Sequence, residues 1–182
     1  MRNTMENKGL IIVHTGDGKG KTTAALGMAI RAWGNDLHVL ILQFIKGSWN
    51  YGELKAIDAL ASLNACIEIR QGGLGFSQRG AKAEEEHQRA AAELLQTAMD
   101  ELQSEVWDMV ILDEFNYAYS FGFISAGDLE RLFSARPDGT HLIFTGRNAS
   151  QELIDRADLV TEMHLIKHPF QRGIKAQKGV EF

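Results

Sequence analysis

The stretch Leu10–Thr23, LIIVHTGDGKGKTT, decides how the rest of the chain reads. Leu10 to Val13 is a short unbroken apolar run, the pattern of a buried strand. Gly16 to Gly20 alternates glycine with Asp17 and Lys19, and Gly20-Lys21-Thr22-Thr23 leads into a helical pattern. Strand, glycine-rich turn and helix in that order mark a phosphate-binding loop. Glycines let successive backbone N–H groups converge on an anion, and the helix N-terminus adds its partial positive charge. In such a loop Lys21 reaches phosphate oxygens and Thr22 places a hydroxyl on Mg²⁺. One position departs from the usual G-x-x-x-x-G-K-[ST]: the first glycine should stand at 15, where this chain has Thr15, and Gly16 and Gly18 lie inside the loop instead. The cradle is therefore expected to differ in shape from that of an ordinary kinase or GTPase.

Composition narrows the class. A chain of 182 residues is long enough for one domain with a real core. A net charge of −5 argues against general nucleic-acid binding, which favours a basic face. No apolar run approaches the ~20 residues of a membrane span, and the polar start MRNTMENKG lacks the apolar segment of a signal peptide. A cytoplasmic protein is expected. The single cysteine, Cys66, excludes an internal disulfide and a cysteine-based zinc site, and reads as a buried bystander in a strand. The six histidines are scattered, with no pair at metal-ligand spacing.

Beyond the loop, strands and helices alternate. Thr22 to Trp33 is a helix with Ala25, Met28, Ala29 and Trp33 on one face. Arg31 on that helix is either a solvated charge or a nucleotide contact. Val39 to Phe44 is a second buried strand, followed by a loop with Lys46, Gly47, Trp49 and Tyr51. Loops that leave strand C-termini line the ligand crevice of a parallel sheet. Glu53 to Leu63 is a helix and Ala65 to Arg70 a third strand. Gln71 to Gly80 is glycine-rich around Phe76, and Ala81 to Ser104 is a long helix with Glu84, Glu85 and Glu86 near its start. Val106 to Leu112 is a fourth strand that ends in Asp113-Glu114. An apolar strand ending in acids, paired with a phosphate loop, resembles a Walker B element. Asn116 to Ile124 is aromatic-rich, and at least two of its four rings are expected in the core. Ser125 to Ala135 is a helix, His141 to Phe144 a fifth strand leaving through Thr145-Gly146-Arg147, Ser150 to Ala157 a helix, and Leu159 to Ile166 a last strand. The basic tail from Lys167 reads equally as a ligand-docking segment or as a disordered end. The alternation implies a mostly parallel sheet with helices on both faces, residues 1–8 being a short polar lead and 9–182 one domain.

Taken together these motifs resemble the ATP:corrinoid adenosyltransferases of the cobalamin-salvage type. The matching stretches are TGDGKGKTTAA from Thr15, QFIKG from Gln43, GFS from Gly75, VILDE from Val110, TGR from Thr145, and KHPFQRGIKAQKGVEF from Lys167. They span about Gly9 to the C-terminus in the expected order. The displaced loop glycine together with the K-A-Q-x-G tail is far more specific than a phosphate loop alone. The resemblance implies a RecA-like P-loop fold, a homodimer, an electron-donating reductase as partner, and ATP bound in an orientation reversed relative to ordinary P-loop enzymes. It implies transfer of the 5′-deoxyadenosyl group of ATP to a reduced Co(I) corrinoid, with triphosphate leaving. Co(I) is itself the nucleophile, which fits the lack of an evident catalytic triad.

By the same resemblance Gly16, Asp17, Gly18, Lys19, Gly20, Lys21, Thr22 and Thr23 hold ATP, and Lys21, Thr22 and Glu114 carry catalysis. Thr22 and Glu114 serve Mg²⁺, Asp17 and Arg31 lie near the adenosine, and Arg147 touches phosphate. Phe76 presses beneath the corrin ring and helps to expel the lower axial ligand. Many members read G-F-x-W in this loop, whereas Gln78 stands here in place of the second aromatic. With Gln78 there, either weaker ligand displacement or a different preferred corrinoid is expected. Many members also carry a longer polar helix before the first strand, so a thinner corrinoid cover is expected. Two other readings stay open on the residues alone: a nucleotide-hydrolysing or kinase-like enzyme with Glu114 orienting water, and a non-catalytic carrier of corrinoid or ATP.

Overall fold

The structure, a computed structural model, describes residues 8–47, 51–75 and 81–181. Six strands form one sheet in the order β3-β2-β4-β5-β1-β6. They are β1 (Ile11–Thr15), β2 (Val39–Gln43), β3 (Ile67–Gln71), β4 (Met109–Asp113), β5 (His141–Thr145) and β6 (Leu159–Glu162). Every pairing in the sheet is parallel. Parallel neighbours need crossovers, and helices supply them: α1 (Lys21–Trp33), α2 (Gly52–Ala61), α3 (Ala81–Gln103), α4 (Phe115–Ser120), α5 (Ala126–Ala135) and α6 (Gln151–Arg156). No helix among the described residues is long and apolar enough to cross a membrane.

Strand alternation sorts the core into two layers. Ile12, Val39, Ile41, Met109, Ile111 and Ile143 face α1 and α2, against Ala25, Ala29, Ala32 and Ile57. Val13, Leu40, Leu42, Val110, Leu112, Leu142 and Phe144 face the opposite way, against α3, α4, α5 and α6. Burial on both faces explains why these strands read as continuous apolar runs rather than as alternating ones. The buried face of α1 is made of alanines, which brings the helix close to the sheet and fixes the phosphate loop that precedes it. Met28 and Trp33 of the expected face are half-buried at its margin.

Four details differ from the sequence expectations. Residues 115–120 form α4, a short helix hidden from pattern reading by its run of aromatics; Tyr117, Tyr119 and Phe123 pack on the core and Phe121 is exposed. The fourth strand starts at Met109, because Val106 is exposed and the intervening backbone turns to pair with His38. The last strand stops at Glu162 rather than Ile166. Its partner β1 ends there, at the Thr15–Glu162 pair, and has turned into the phosphate loop. Cys66 sits just before β3 and is half-buried, not interior.

Helix α5 begins with a reciprocal cap: the Ser125 hydroxyl accepts the Asp128 N–H, and the Asp128 carboxylate accepts the Ser125 N–H at 2.9 Å. Ser125 and Arg131 together hold the Asp128 carboxyl down to about 2, from 3.8. A depressed acid stabilises the fold above its unfolded pKa and loses that contribution as pH falls through the folded one. Stability should therefore decline between pH values of about 4 and about 2 in a way that Asp128→Asn abolishes, and Ser125→Ala should cost about 1 kcal/mol in denaturant titrations.

Candidate active site

The C-terminal ends of β2, β4 and β5 set the site. Gln43, Asp113 and Thr145 share the sheet face that α1 covers, as their parity with Ile41, Ile111 and Ile143 requires. All three are buried. The Asp113 carboxylate collects their hydrogen bonds. Thr145 Oγ1 donates to Oδ1 at 2.7 Å, and Gln43 Nε2 donates to Oδ2 at 3.1 Å. From α1, Thr22 Oγ1 donates to Oδ1 at 2.8 Å. Lys46 completes the set with Nζ 3.3 Å from Oδ2, and also donates to Glu53 Oε1 at 2.9 Å. A buried carboxylate needs such partners to remain charged. Burial works to lower the Lys46 pKa, but the charge of Asp113 and the bond to Glu53 outweigh it and hold the ammonium above its ordinary value.

Lys21 curls over the loop, donating from Nζ to the carbonyls of Gly16 at 2.7 Å and Gly18 at 2.6 Å. Burial pushes its pKa below the usual lysine value; Glu114 and Asp17 pull it back up, while Arg147 works with burial. Glu114 follows Asp113 with a φ of 61°, a left-handed conformation that non-glycine residues adopt at a cost of about 1–3 kcal/mol. The turn is held from β5, because the Glu114 N–H donates to Thr145 Oγ1 at 2.9 Å. Burial and the adjacent Asp113 charge raise the Glu114 pKa, partly offset by Lys46, Lys21 and Arg147. Asn116 Nδ2 donates to Gly146 O at 2.9 Å and ties the turn after β4 to the turn that carries Arg147. His14 of β1 is buried, and burial lowers its pKa.

The phosphate loop is braced from one side by the chain that leaves β6. The Gly18 N–H donates to Met163 O at 2.6 Å. A Cβ at Gly16 would stand 2.4 Å from Met163 O, and one at Gly18 would stand 2.7 Å from the same oxygen. These two glycines are thus required by the crossing backbone as well as by anion approach. Thr15 stands at the place of the usual first glycine. Its hydroxyl accepts the Ala149 N–H at 3.1 Å and fastens the loop before α6.

The phosphate loop borders a cavity of about 900 Å³, at the large end of the range for small-molecule sites. The loop residues Asp17 to Thr23 form one part of its wall. Leu26, Lys46, Tyr51, Glu53, Glu114, Tyr117 and Arg147 form another, and Gly179 to Glu181 of the tail close it. The structure brings together all the loop residues named from sequence except Gly16, which lies behind as a carbonyl acceptor for Lys21, and joins Glu114 and Arg147 to them. Arg31 is exposed in the last turn of α1, about 15 Å along the axis from Lys21, and is not among the cavity residues. Phe76 and Gln78 lie outside the described residues.

Residues 7–182 match the family described as ATP:corrinoid adenosyltransferase BtuR/CobO/CobP. The chain belongs to this family. It is 41% identical to a corrinoid adenosyltransferase of Sinorhizobium sp., an alignment covering 100% of this chain and 84% of that one. It is 36% identical to the Salmonella typhimurium corrinoid adenosyltransferase CobA, over 97% of this chain and 87% of that one. The Pseudomonas aeruginosa corrinoid adenosyltransferase is 38% identical over 97% and 85%. Among solved structures, the flagellar accessory protein FlaH of Methanocaldococcus jannaschii superposes with a TM-score of 0.60 over 86% of this chain and 71% of that one. Identity there is 11%, so that likeness carries the fold alone.

Within this family member, sequence reading gave the acidic strand end to Glu114 and left Asp113, Lys46 and Glu53 without a role. Two consecutive acids at a strand end point to opposite faces, and only the position of α1 tells which one meets Thr22. If Met163 braces the loop as described, Gly18→Ala should lose about 1–3 kcal/mol of stability in denaturant titrations and bind ATP more weakly. Gly27→Ala on α1, where an added Cβ meets nothing within 4 Å, should be neutral or slightly stabilising.

Proposed function

We propose that residues 9–182 act as one adenosyltransferase domain in which the phosphate loop holds the triphosphate of ATP and directs the ribose 5′-carbon toward a reduced corrinoid. The observation that carries this reading is the convergence of Lys21, Thr22, Glu114 and Arg147 on one cavity, in a chain of this family. The Co(I) lone pair attacks C5′, the C5′–O bond breaks, and its electron pair leaves on triphosphate. Cobalt ends as alkyl-Co(III), formally oxidised by two electrons. With a metal-centred nucleophile already supplied, the protein contributes alignment and neutralisation of the leaving charge. Lys21, Lys19 and Arg147 provide fixed positive charge, and the first-turn N–H groups of α1 add to it.

The Thr22 hydroxyl and the Glu114 carboxylate border the cavity and are oxygen donors of the kind that Mg²⁺ takes alongside phosphate, while the buried Asp113 holds the Thr22 hydroxyl from behind. When bound, Mg²⁺ would spread positive charge over the triphosphate oxygens. Thr22 and Glu114 would serve Mg²⁺, with Asp113 fixing the Thr22 hydroxyl and Glu114 turned toward Lys21 and Arg147. Arg31 would require a contact from outside this chain's own cavity, which a homodimer could supply. A homodimer, a partner reductase that delivers Co(I), and a cytoplasmic setting are the further parts of this reading.

The test is product analysis with ATP, Mg²⁺ and chemically reduced corrinoid under anaerobic conditions. Adenosylated corrinoid and triphosphate in equal amounts are expected. Corrinoid-independent release of ADP and phosphate would make the chain a hydrolase, and stoichiometric binding of both ligands without conversion would make it a carrier. Lys21→Ala should lower turnover by about 10²-fold or more at saturating ATP, the scale of one preorganised electrostatic group. For Phe76 we propose action on the corrinoid alone. Phe76→Ala should leave ATP affinity nearly unchanged and reduce the four-coordinate Co(II) fraction seen by electron paramagnetic resonance. A corrinoid without an intramolecular lower ligand should be far less sensitive, and equal impairment of both corrinoid types would refute ligand displacement.

A further inference from the structure

The C-terminal tail comes back to the phosphate loop. After the short 3₁₀ turn Pro169–Arg172, the chain reaches the cavity wall at Gly179, Val180 and Glu181. Its last described turn is fixed from within: the Val180 N–H donates to Gln177 O at 3.2 Å and the Glu181 N–H to the same oxygen at 2.9 Å. That turn places Glu181 Oε2 2.9 Å from Lys19 Nζ. The Glu181 side chain is 18% exposed and that of Lys19 is 48% exposed, so the carboxylate is tucked against the loop while the ammonium remains half in water. An acid from the far end of the sequence therefore holds a cation of the loop whose chemistry is to bind phosphate.

Two anions cannot both use this ammonium without repelling each other in one cavity. We infer that Glu181 is an intramolecular competitor of triphosphate for Lys19, leaving when the phosphates of ATP enter and returning after transfer to promote release of the triphosphate product. The identity of that product rests on the proposed function; the competition itself does not depend on the reaction. An ion pair with one half-exposed partner is weak, so entering phosphates displace it without blocking the site. Tethering compensates for the weakness, because a carboxylate carried on the same chain meets Lys19 at a high effective concentration. Among the described residues, the tail brings no such anionic substitute to Lys21 or Arg147. Glu181 thus weakens one of several contacts to triphosphate and leaves the rest of the cradle intact.

The experiment measures inorganic triphosphate binding by calorimetry to the full chain and to Glu181→Gln, which keeps size and removes charge. Glu181→Gln should bind triphosphate about two- to fivefold more tightly, the range expected for one exposed ion pair. The gain should shrink as salt is raised. Glu181→Asp should remain near the wild type. In the wild type, adding triphosphate should accelerate amide hydrogen exchange in residues 177–181 as the tail leaves. Unchanged or weaker triphosphate binding in Glu181→Gln overturns the inference, as does slower exchange of 177–181 on adding triphosphate, which would make the tail a clasp. Absence of triphosphate binding in both proteins overturns it as well. Tighter binding in Glu181→Gln without adenosyl transfer by the wild type would uphold the competition while removing the proposed reaction.

Discussion

The site rests on one buried carboxylate. Asp113 stands at the end of β4, 1% exposed, and accepts from a threonine of α1, a glutamine of β2 and a threonine of β5, with Lys46 as its counter-charge. Each hydrogen bond to a charged group contributes about 1.5–3 kcal/mol, and loss of one partner leaves a buried charge underpaired. With its donors on two neighbouring strands and a helix, Asp113 sets the distance between the phosphate loop and the rim of the sheet. A row of polar side chains extends this along the rim: Gln71 Nε2 donates to Gln43 Oε1 at 3.1 Å, and Gln43 passes to Asp113 and Asp113 to Thr145. In the strands below, the same positions are apolar. The sheet changes from core to chemistry within one residue at its C-terminal edge.

The loop has a second support, independent of Asp113. Backbone from Met163 crosses it and takes the Gly18 N–H, while Thr15 holds the segment before α6. An ordinary phosphate loop has its first glycine where Thr15 stands. Here that residue is still a strand residue paired with Glu162, and the glycines are moved inward to let Met163 pass. The altered spacing is thus a packing requirement of β6, and it gives the cradle its own shape. The two strand-end acids divide the work: Asp113 locks the loop, and Glu114, through its left-handed turn, faces the cavity with Lys21 and Arg147.

Much of this was legible in the residues. The strand–loop–helix sequence from Leu10 located the site, and apolar runs located β1, β2, β4 and β5, because strands buried on both faces leave a strong and continuous signal. The edge strands β3, half-buried, and β6, exposed, were read from their place in the alternation of strands and helices. The resemblance of the dispersed motifs reached the correct family. What escaped depends on three-dimensional placement. Parity shows that Asp113 and Glu114 point apart, yet the choice between them needs the side on which α1 packs. Lys46 and Glu53 form their pair seven positions apart, with no spacing rule to announce it. The end of β6 was set by where its neighbour turns away, which a single-strand pattern does not contain. The tail was read as either docking or disordered, and the structure brings it to the cavity through a contact between Lys19 and Glu181 that is remote in sequence.

The central claim is that Asp113 couples the phosphate loop to the strand ends, and a double-mutant cycle tests it most directly. Thr22→Val, Asp113→Asn and the double variant would be compared in denaturant stability and in ATP affinity. The account predicts that the two substitutions are coupled by about 1.5–3 kcal/mol in stability, with Thr22→Val nearly harmless once Asp113→Asn is made. Effects that add to within about 0.5 kcal/mol would contradict it and leave Thr22 and Asp113 as independent neighbours.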